Sequence, residues 1–195
     1  MYELMYINRC GTRRAVPVSP WGRMVRYHQL VFISTRAGQM KHLMLLRHAQ
    51  AHAEGLRADY DRQLTQKGQT QVLQLATGLS LSAEFPDLVI ASSAVRTRMT
   101  AEILLSQLGL SNATLVLSDD LYLADCEQLL RTIYDVHGDV TRLMLIGHNP
   151  GISDLAQHFL PTSPSLRPAQ SVSLAFETDD WSRVSCMQPK HAQLR

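Results

Sequence analysis

Three apolar runs of strand length, each breaking off into polar residues, constrain this chain more than any other feature: "HLMLLRH" from His42, "PDLVIASS" from Pro86 and "RLMLIGHN" from Arg142. Runs without alternation suit strands covered on both faces, as in parallel sheets. The segments between them carry helical spacing. In "LTQKGQTQVLQLATGLS", Thr65 is the expected N-cap, and Val72, Leu75, Ala76 and Leu79 share one face. "VRTRMTAEILLSQLG" places Met99, Ile103 and Leu104 on one side and offers Gly109 as a stop. "DCEQLLRTIYDVHG" directs Leu129, Leu130, Ile133 and Val136 inward and is expected to end at Gly138.

A fourth helix is expected in "PGISDLAQHFL", with Asn149 as N-cap, Pro150 in the first turn and Pro161 beyond its end. "TLVL" is a candidate minor strand. "SVSLAFETDDWSRVSCM" reads as a hairpin with "TDD" in the turn. Strands alternating with helices predict an α/β fold, a three-layer α/β/α sandwich around a mainly parallel sheet, with the hairpin at one edge.

Residues 1–39 stand apart. They hold six arginines against a single acid, Glu3, and are rich in turn residues, as in "GTRRAVPVSPWGR". Their one apolar run, "LVFIS", is too short for a signal-peptide core. Met40 opens "MKHLMLLRHA" like a protein start, so residues 1–39 are expected to be a disordered extension or a mis-assigned start, and residues 40–195 the functional domain. That domain holds 13 basic and 16 acidic residues, a balance that gives no reason to expect nucleic-acid binding. No run approaches the roughly 18 apolar residues a membrane span needs. The three cysteines, Cys10, Cys126 and Cys186, lie far apart without metal-ligand spacing. Neither disulfides nor a metal or other cofactor is expected, and a monomer in a reducing cytoplasm is the expectation.

The chemistry concentrates where strands end, the edge at which parallel sheets bind ligands. The first run ends on Arg47 and His48, the second on Ser92 and Ser93 with Arg96 and Arg98 soon after, the third on Gly147, His148 and Asn149. An Arg-His pair alone is weak evidence; two histidines and two arginines converging on one sheet edge are not. A guanidinium fork matches phosphate oxygens and keeps its charge. Neutral imidazole attacks phosphorus when its other ring nitrogen is held by a hydrogen bond. Fixed cationic donors then meet the charge spread over the equatorial oxygens.

In order along the chain, "LMLLRHAQA", "DRQLTQKG", "VIASSAVRTRMTAEIL" and "LMLIGHNPGISDLA" resemble the successive motifs of the histidine phosphatase superfamily, the phosphoglycerate mutase-like fold. The alanine after "RH" and the "GHNPG" wording are most similar to the small SixA-type phosphohistidine phosphatases. The resemblance implies that His48 is a nucleophile that becomes phosphorylated, that Arg47 and Arg96 grip the phosphoryl oxygens, and that His148 stabilises the same group. It also implies that Arg62 lies near the pocket, and it selects Arg96 over Arg98. Ser93 stands where the family usually has proline, Met99 where it has glutamine, and Gln50 where an acid is common.

Relatives that cleave phosphate monoesters add a carboxylic acid to protonate the leaving oxygen. Here "DDLYLADCEQLL" offers Asp119, Asp120, Asp125 and Glu127 without a clear acid motif. Phosphohistidine, with its labile P–N bond, needs such an acid less. The expected activity is therefore metal-independent hydrolysis of phosphohistidine on a signalling or phosphotransfer protein. A phosphatase of small phosphomonoesters and a non-catalytic phosphate-binding regulatory domain are the alternatives.

Overall fold

The computed structural model describes residues 5–7, 13–15, 39–53, 58–111 and 114–195. The chain divides into two compact units, residues 1–35 and 36–195. In the first, β1 (Met5–Ile7) pairs antiparallel with β2 (Arg13–Ala15). The expectation of a disordered or mis-assigned extension otherwise lies outside the described residues.

The second unit is a six-stranded sheet. Its elements in chain order are β3 (Lys41–Arg47), α1 (Gln66–Ser82), β4 (Leu88–Ser92), α2 (Val95–Leu108), β5 (Leu115–Ser118), α3 (Cys126–Tyr134), β6 (Arg142–Gly147), α4 (Gly151–Phe159), β7 (Ser171–Phe176) and β8 (His191–Leu194). The strands lie in the order β5-β4-β6-β3-β7-β8. The four on the β5 side are parallel, and β7 and β8 are antiparallel.

Successive side chains of a strand point to opposite faces, so an unbroken apolar run must feed two cores. That is what happens here. Leu43 and Leu45 of β3, with Leu143 and Leu145 of β6, join a core that includes Leu129 and Ile133 of α3 and Leu155 and Phe159 of α4. Met44, Leu46, Met144 and Ile146 join the opposite core with Val72 and Leu79 of α1 and Leu104 and Leu105 of α2. The sandwich is thus α3 and α4, sheet, then α1 and α2. Each fully buried leucine contributes on the order of 1.5–3 kcal/mol through burial, which makes the central strands rigid mounts for whatever follows them. Among the described residues no helix is long and apolar enough to cross a membrane.

Thr65 caps α1, its side chain accepting from Gly68 N at 3.0 Å, and Gly109 ends α2 in the left-handed conformation. Three local expectations are corrected. Residues 181–187 do not form the second arm of a hairpin. Trp181 and Val184, three apart, face the core from a 3-10 helix Trp181–Cys186, and β8 follows at His191. Trp181 Nε1 donates to Val140 O at 2.7 Å, and Asp180 caps the turn through Ser182 N, which together outweigh strand pairing. Helix α3 stops at Tyr134 rather than Gly138. Pro150, not Asn149, occupies the cap position of α4. Asn149 instead donates to Leu166 O and Ser165 Oγ and accepts from Ser153 Oγ, stapling the 165–166 segment beside the sheet edge.

Candidate active site

Because β3, β4 and β6 are parallel, their carboxyl ends lie along one edge. Arg47 is the last residue of β3, and His48 N donates to Gly147 O at 3.1 Å, extending the β3–β6 ladder by one residue. The backbone of His48 is therefore set by the sheet. Arg96 comes from the first turn of α2, and His148 follows β6 directly. With Arg62 and Asp59 these side chains line one cleft of about 260 Å³. All five residues expected from the sequence, Arg47, His48, Arg62, Arg96 and His148, meet there. Arg98 does not: it is exposed on α2 and pairs with Glu102 at 3.8 Å.

The tautomer of His48 follows from its partners. Nδ1 lies 2.8 Å from Ala49 O, which can only accept, so Nδ1 carries the proton and Nε2 keeps its lone pair. The Nε–H of Arg96 donates to that Nε2 at 3.3 Å. Burial lowers the His48 pKa to about 4, with the nearby guanidiniums of Arg96, Arg47 and Arg62 acting the same way against the opposing hydrogen bond to Ala49. The ring is neutral at pH 7 and competent as a nucleophile.

His148 is 3% exposed, and burial with the neighbouring Arg96 lowers its pKa to about 3. Ser92 Oγ accepts from Ala94 N at 3.3 Å and lies 2.8 Å from His148 Nε2. The buried Nδ1 of His148 has no hydrogen-bond partner among the described residues. In the tautomer that protonates this nitrogen, it would donate to an oxyanion arriving at the end of the strand. The two rings stand 5.2 Å apart between centroids.

Arg47 donates to Leu166 O at 2.8 Å, while its buried Nε has no partner among the described residues. Burial alone lowers its pKa, a cost that an arriving dianion would remove. Arg62 donates to His52 O at 2.9 Å.

Asp59 is the member that sequence reasoning missed. Its carboxylate accepts from Arg62, from Arg96 at 2.9 Å and from Tyr122 Oη at 2.7 Å, and its main-chain oxygen accepts from Arg96 at 2.6 Å. Burial pushes its pKa up, but these three donors outweigh it and hold the carboxyl at about 2. The only available signal was an acid three residues before Arg62, a spacing at which side chains on one turn can pair. Tyr122 itself lies in the segment scanned for an acid. The candidate acids sit elsewhere: Asp125 caps α3 in a capping box with Gln128, Glu127 pairs with Arg131, and Asp119 accepts from Ser93 and Tyr60. Ser93, in the position the family gives to proline, thereby ties the start of α2 to the turn after β5.

Two glycines hold the frame. A Cβ on Gly68 would lie 2.1 Å from Gln50 O, and one on Gly151 1.9 Å from Ala124 O, so both backbones approach as only glycine permits. Leu123, by contrast, adopts φ +53 without being glycine, a conformation that costs about 1–2 kcal/mol. Three guanidiniums face one carboxylate in the described lining, and with both imidazoles neutral the cleft has an excess of two positive charges, suited to a dianionic phosphoryl group. No group of three or more His, Cys, Asp or Glu side chains among the described residues is placed to hold a metal.

Comparison with known proteins bears on the family and the fold. The model of the histidine phosphatase superfamily (branch 1) matches residues 43–148, more than half of the chain. A structure described as a candidate phosphohistidine phosphatase SixA, from Agrobacterium tumefaciens, is 27% identical with a TM-score of 0.61, covering 69% of this chain and 90% of that one. The protein histidine phosphatase SixA complexed with tungstate shares the fold at 19% identity and a TM-score of 0.64, over 79% of this chain and 94% of that one. An uncharacterised chloroplastic protein of Arabidopsis thaliana is 27% identical over 74% of this chain and 70% of its own. The mixed α/β fold is thus the phosphoglycerate mutase-like one, and the chain belongs to the histidine phosphatase superfamily.

Proposed function

We propose that the protein is a phosphatase that works through phosphorylated His48 and removes the phosphoryl group from phosphohistidine on a partner protein. The observation that carries this reading is the unprotonated Nε2 of His48 beside the Arg96 guanidinium, with His148, whose Nδ1 has no partner among the described residues, lining the same cleft. In the first step His48 Nε2 forms a bond to phosphorus as the P–N bond to the substrate imidazole breaks. The departing ring nitrogen takes up a proton from water. In the second step water attacks phosphorus, the Nε2–P bond breaks, and neutral His48 and inorganic phosphate are regenerated. Arg47, Arg62, Arg96 and His148 offset the charge on the transferring oxygens in both steps.

Asp59 supports this choice of leaving group. It is the carboxylate in the described lining, and two guanidiniums and a phenol hold it ionised, so it has no proton to give an alkoxide. An imidazole leaving group asks for less help. The likeness to a structure described as a candidate phosphohistidine phosphatase supports the same substrate class. The test is a rate comparison in excess EDTA between a phosphohistidine-bearing phosphotransfer domain and a set of sugar and nucleoside monophosphates. The proposal predicts at least tenfold faster turnover of the domain, undiminished by EDTA and blocked by vanadate. Equal or better turnover of a small monoester would move the assignment to small phosphomonoesters.

A further inference from the structure

Leu123 has no evident use in folding. It is 54% exposed, and its backbone lies in the left-handed region where a leucine is strained. Its neighbours explain why the turn falls there. Leu121 is buried in the core, Tyr122 Oη is tied to Asp59, the Ala124 carbonyl lies under Gly151, and Asp125 caps α3. With both flanks held, the chain must reverse at residue 123, a position where glycine or asparagine would avoid the strain. A large apolar side chain that is both strained and half in water costs the fold twice. Its location is the rim of the phosphate-binding cleft, whose lining is otherwise mostly charged or polar, with Ala51 and Pro168 as the smaller apolar members.

Taking the proposed function as the starting point, we infer that Leu123 is a specificity-determining residue, packing on the ring of the leaving group while the guanidiniums hold its phosphoryl end. The phosphoryl group must sit inward, against His48, so the body it is attached to leaves the cleft past the rim. An imidazole ring offers an apolar face to a leucine; a bare amide or a polyhydroxylated sugar does not. Burying half a leucine side chain on such a face favours ring-bearing substrates.

Leu123→Asn, with the same number and branching of side-chain heavy atoms and tolerant of the left-handed backbone, and Leu123→Gly test this against wild type with three substrates. These are phosphoramidate, which has no body, a phosphohistidine-bearing phosphotransfer domain, and para-nitrophenyl phosphate, a ring without a protein. The expected result is kcat/KM within twofold of wild type for phosphoramidate and a loss of roughly tenfold, mainly in KM, for both ring-bearing substrates. Thermal midpoints should stay level or rise as strain is relieved. Equal losses on all three substrates would mean a structural residue, and no loss on any would mean an idle one; either overturns the inference. Should wild type turn over para-nitrophenyl phosphate and not the domain, the proposed substrate fails, while the ratio to phosphoramidate still decides the role of Leu123.

Discussion

Strand β3 begins and ends on a cation, and the two are treated in opposite ways. Lys41, at its amino end, is 4% exposed, and its Nζ donates to Gly138 O at 2.5 Å and Val140 O at 2.8 Å, with the ring of Trp181 5.7 Å away. Its donors are taken up by the protein itself. Arg47, at the carboxyl end, gives one hydrogen bond to Leu166 O and keeps a buried Nε without a partner among the described residues. A buried cation whose donors are matched by carbonyls belongs to the frame. One with donors to spare, facing a cleft, is prepared for an anion that the chain does not provide. The same contrast holds for His148, whose buried Nδ1 has no partner among the described residues, and it shows that burial alone does not mark a functional group.

Substitutions can break this comparison. Arg47→Ala should lower kcat/KM by about 10²–10³-fold, the scale of losing one charge-stabilising donor, with little change in the urea midpoint. A midpoint that falls as far as activity would mean that Arg47 is a second Lys41. Asp59→Ala should cost about 10- to 100-fold in kcat/KM, because Arg62 and Arg96 lose the carboxylate that orients them; wild-type kinetics in that variant would make Asp59 a bystander. At the other end, Lys41→Met should leave the rate per folded molecule unchanged and lower stability by about 1–3 kcal/mol in urea unfolding, since carbonyls lose their donor. A catalytic defect there would erase the distinction between the two ends.

A further effect is expected in the pH dependence of folding. His48 titrates at about 4 and His148 at about 3 in the folded protein, both below their ordinary 6.5. Between pH 6.5 and 4 the unfolded chain therefore binds more protons, so stability falls as pH falls, by up to ~1.4 kcal/mol per pH unit for each ring. Urea unfolding from pH 7 to 4.5 should show this slope, and His48→Gln should remove about half of the part these two rings contribute. Activity should persist below pH 6 and fail only as His48 approaches its own pKa; loss of kcat/KM near pH 6.5 would contradict a neutral buried nucleophile.

The sequence carried those parts of the molecule whose cause is local. An unbroken apolar run implies a strand covered on two faces, so "HLMLLRH" and "RLMLIGHN" placed His48 and His148 on one sheet edge before any contact was known. Thr65 and Gly109 were readable as helix ends for the same reason. Asp59 was not, because its role arises from a contact with Tyr122, 63 residues away between two loops, and from an Arg96 that reaches it from a helix. The 3-10 helix Trp181–Cys186 was misread because Val184 and Cys186, two apart in a short polar segment, look like alternation until Trp181 is seen to need Val140 O. The resemblance to the family narrowed the choice between Arg96 and Arg98, and the geometry gives the reason: one guanidinium touches His48 Nε2, the other an exposed glutamate.

The central claim is that the phosphoryl group passes through Nε2 of His48. Alkaline quenching during turnover of a phosphohistidine-bearing domain, followed by peptide mass spectrometry, tests it directly. The account predicts a phosphoryl group on His48, absent from His48→Ala, with turnover in that variant reduced at least about 10⁴-fold. A phosphoryl group on any other residue, or near-normal turnover by His48→Ala, would contradict it.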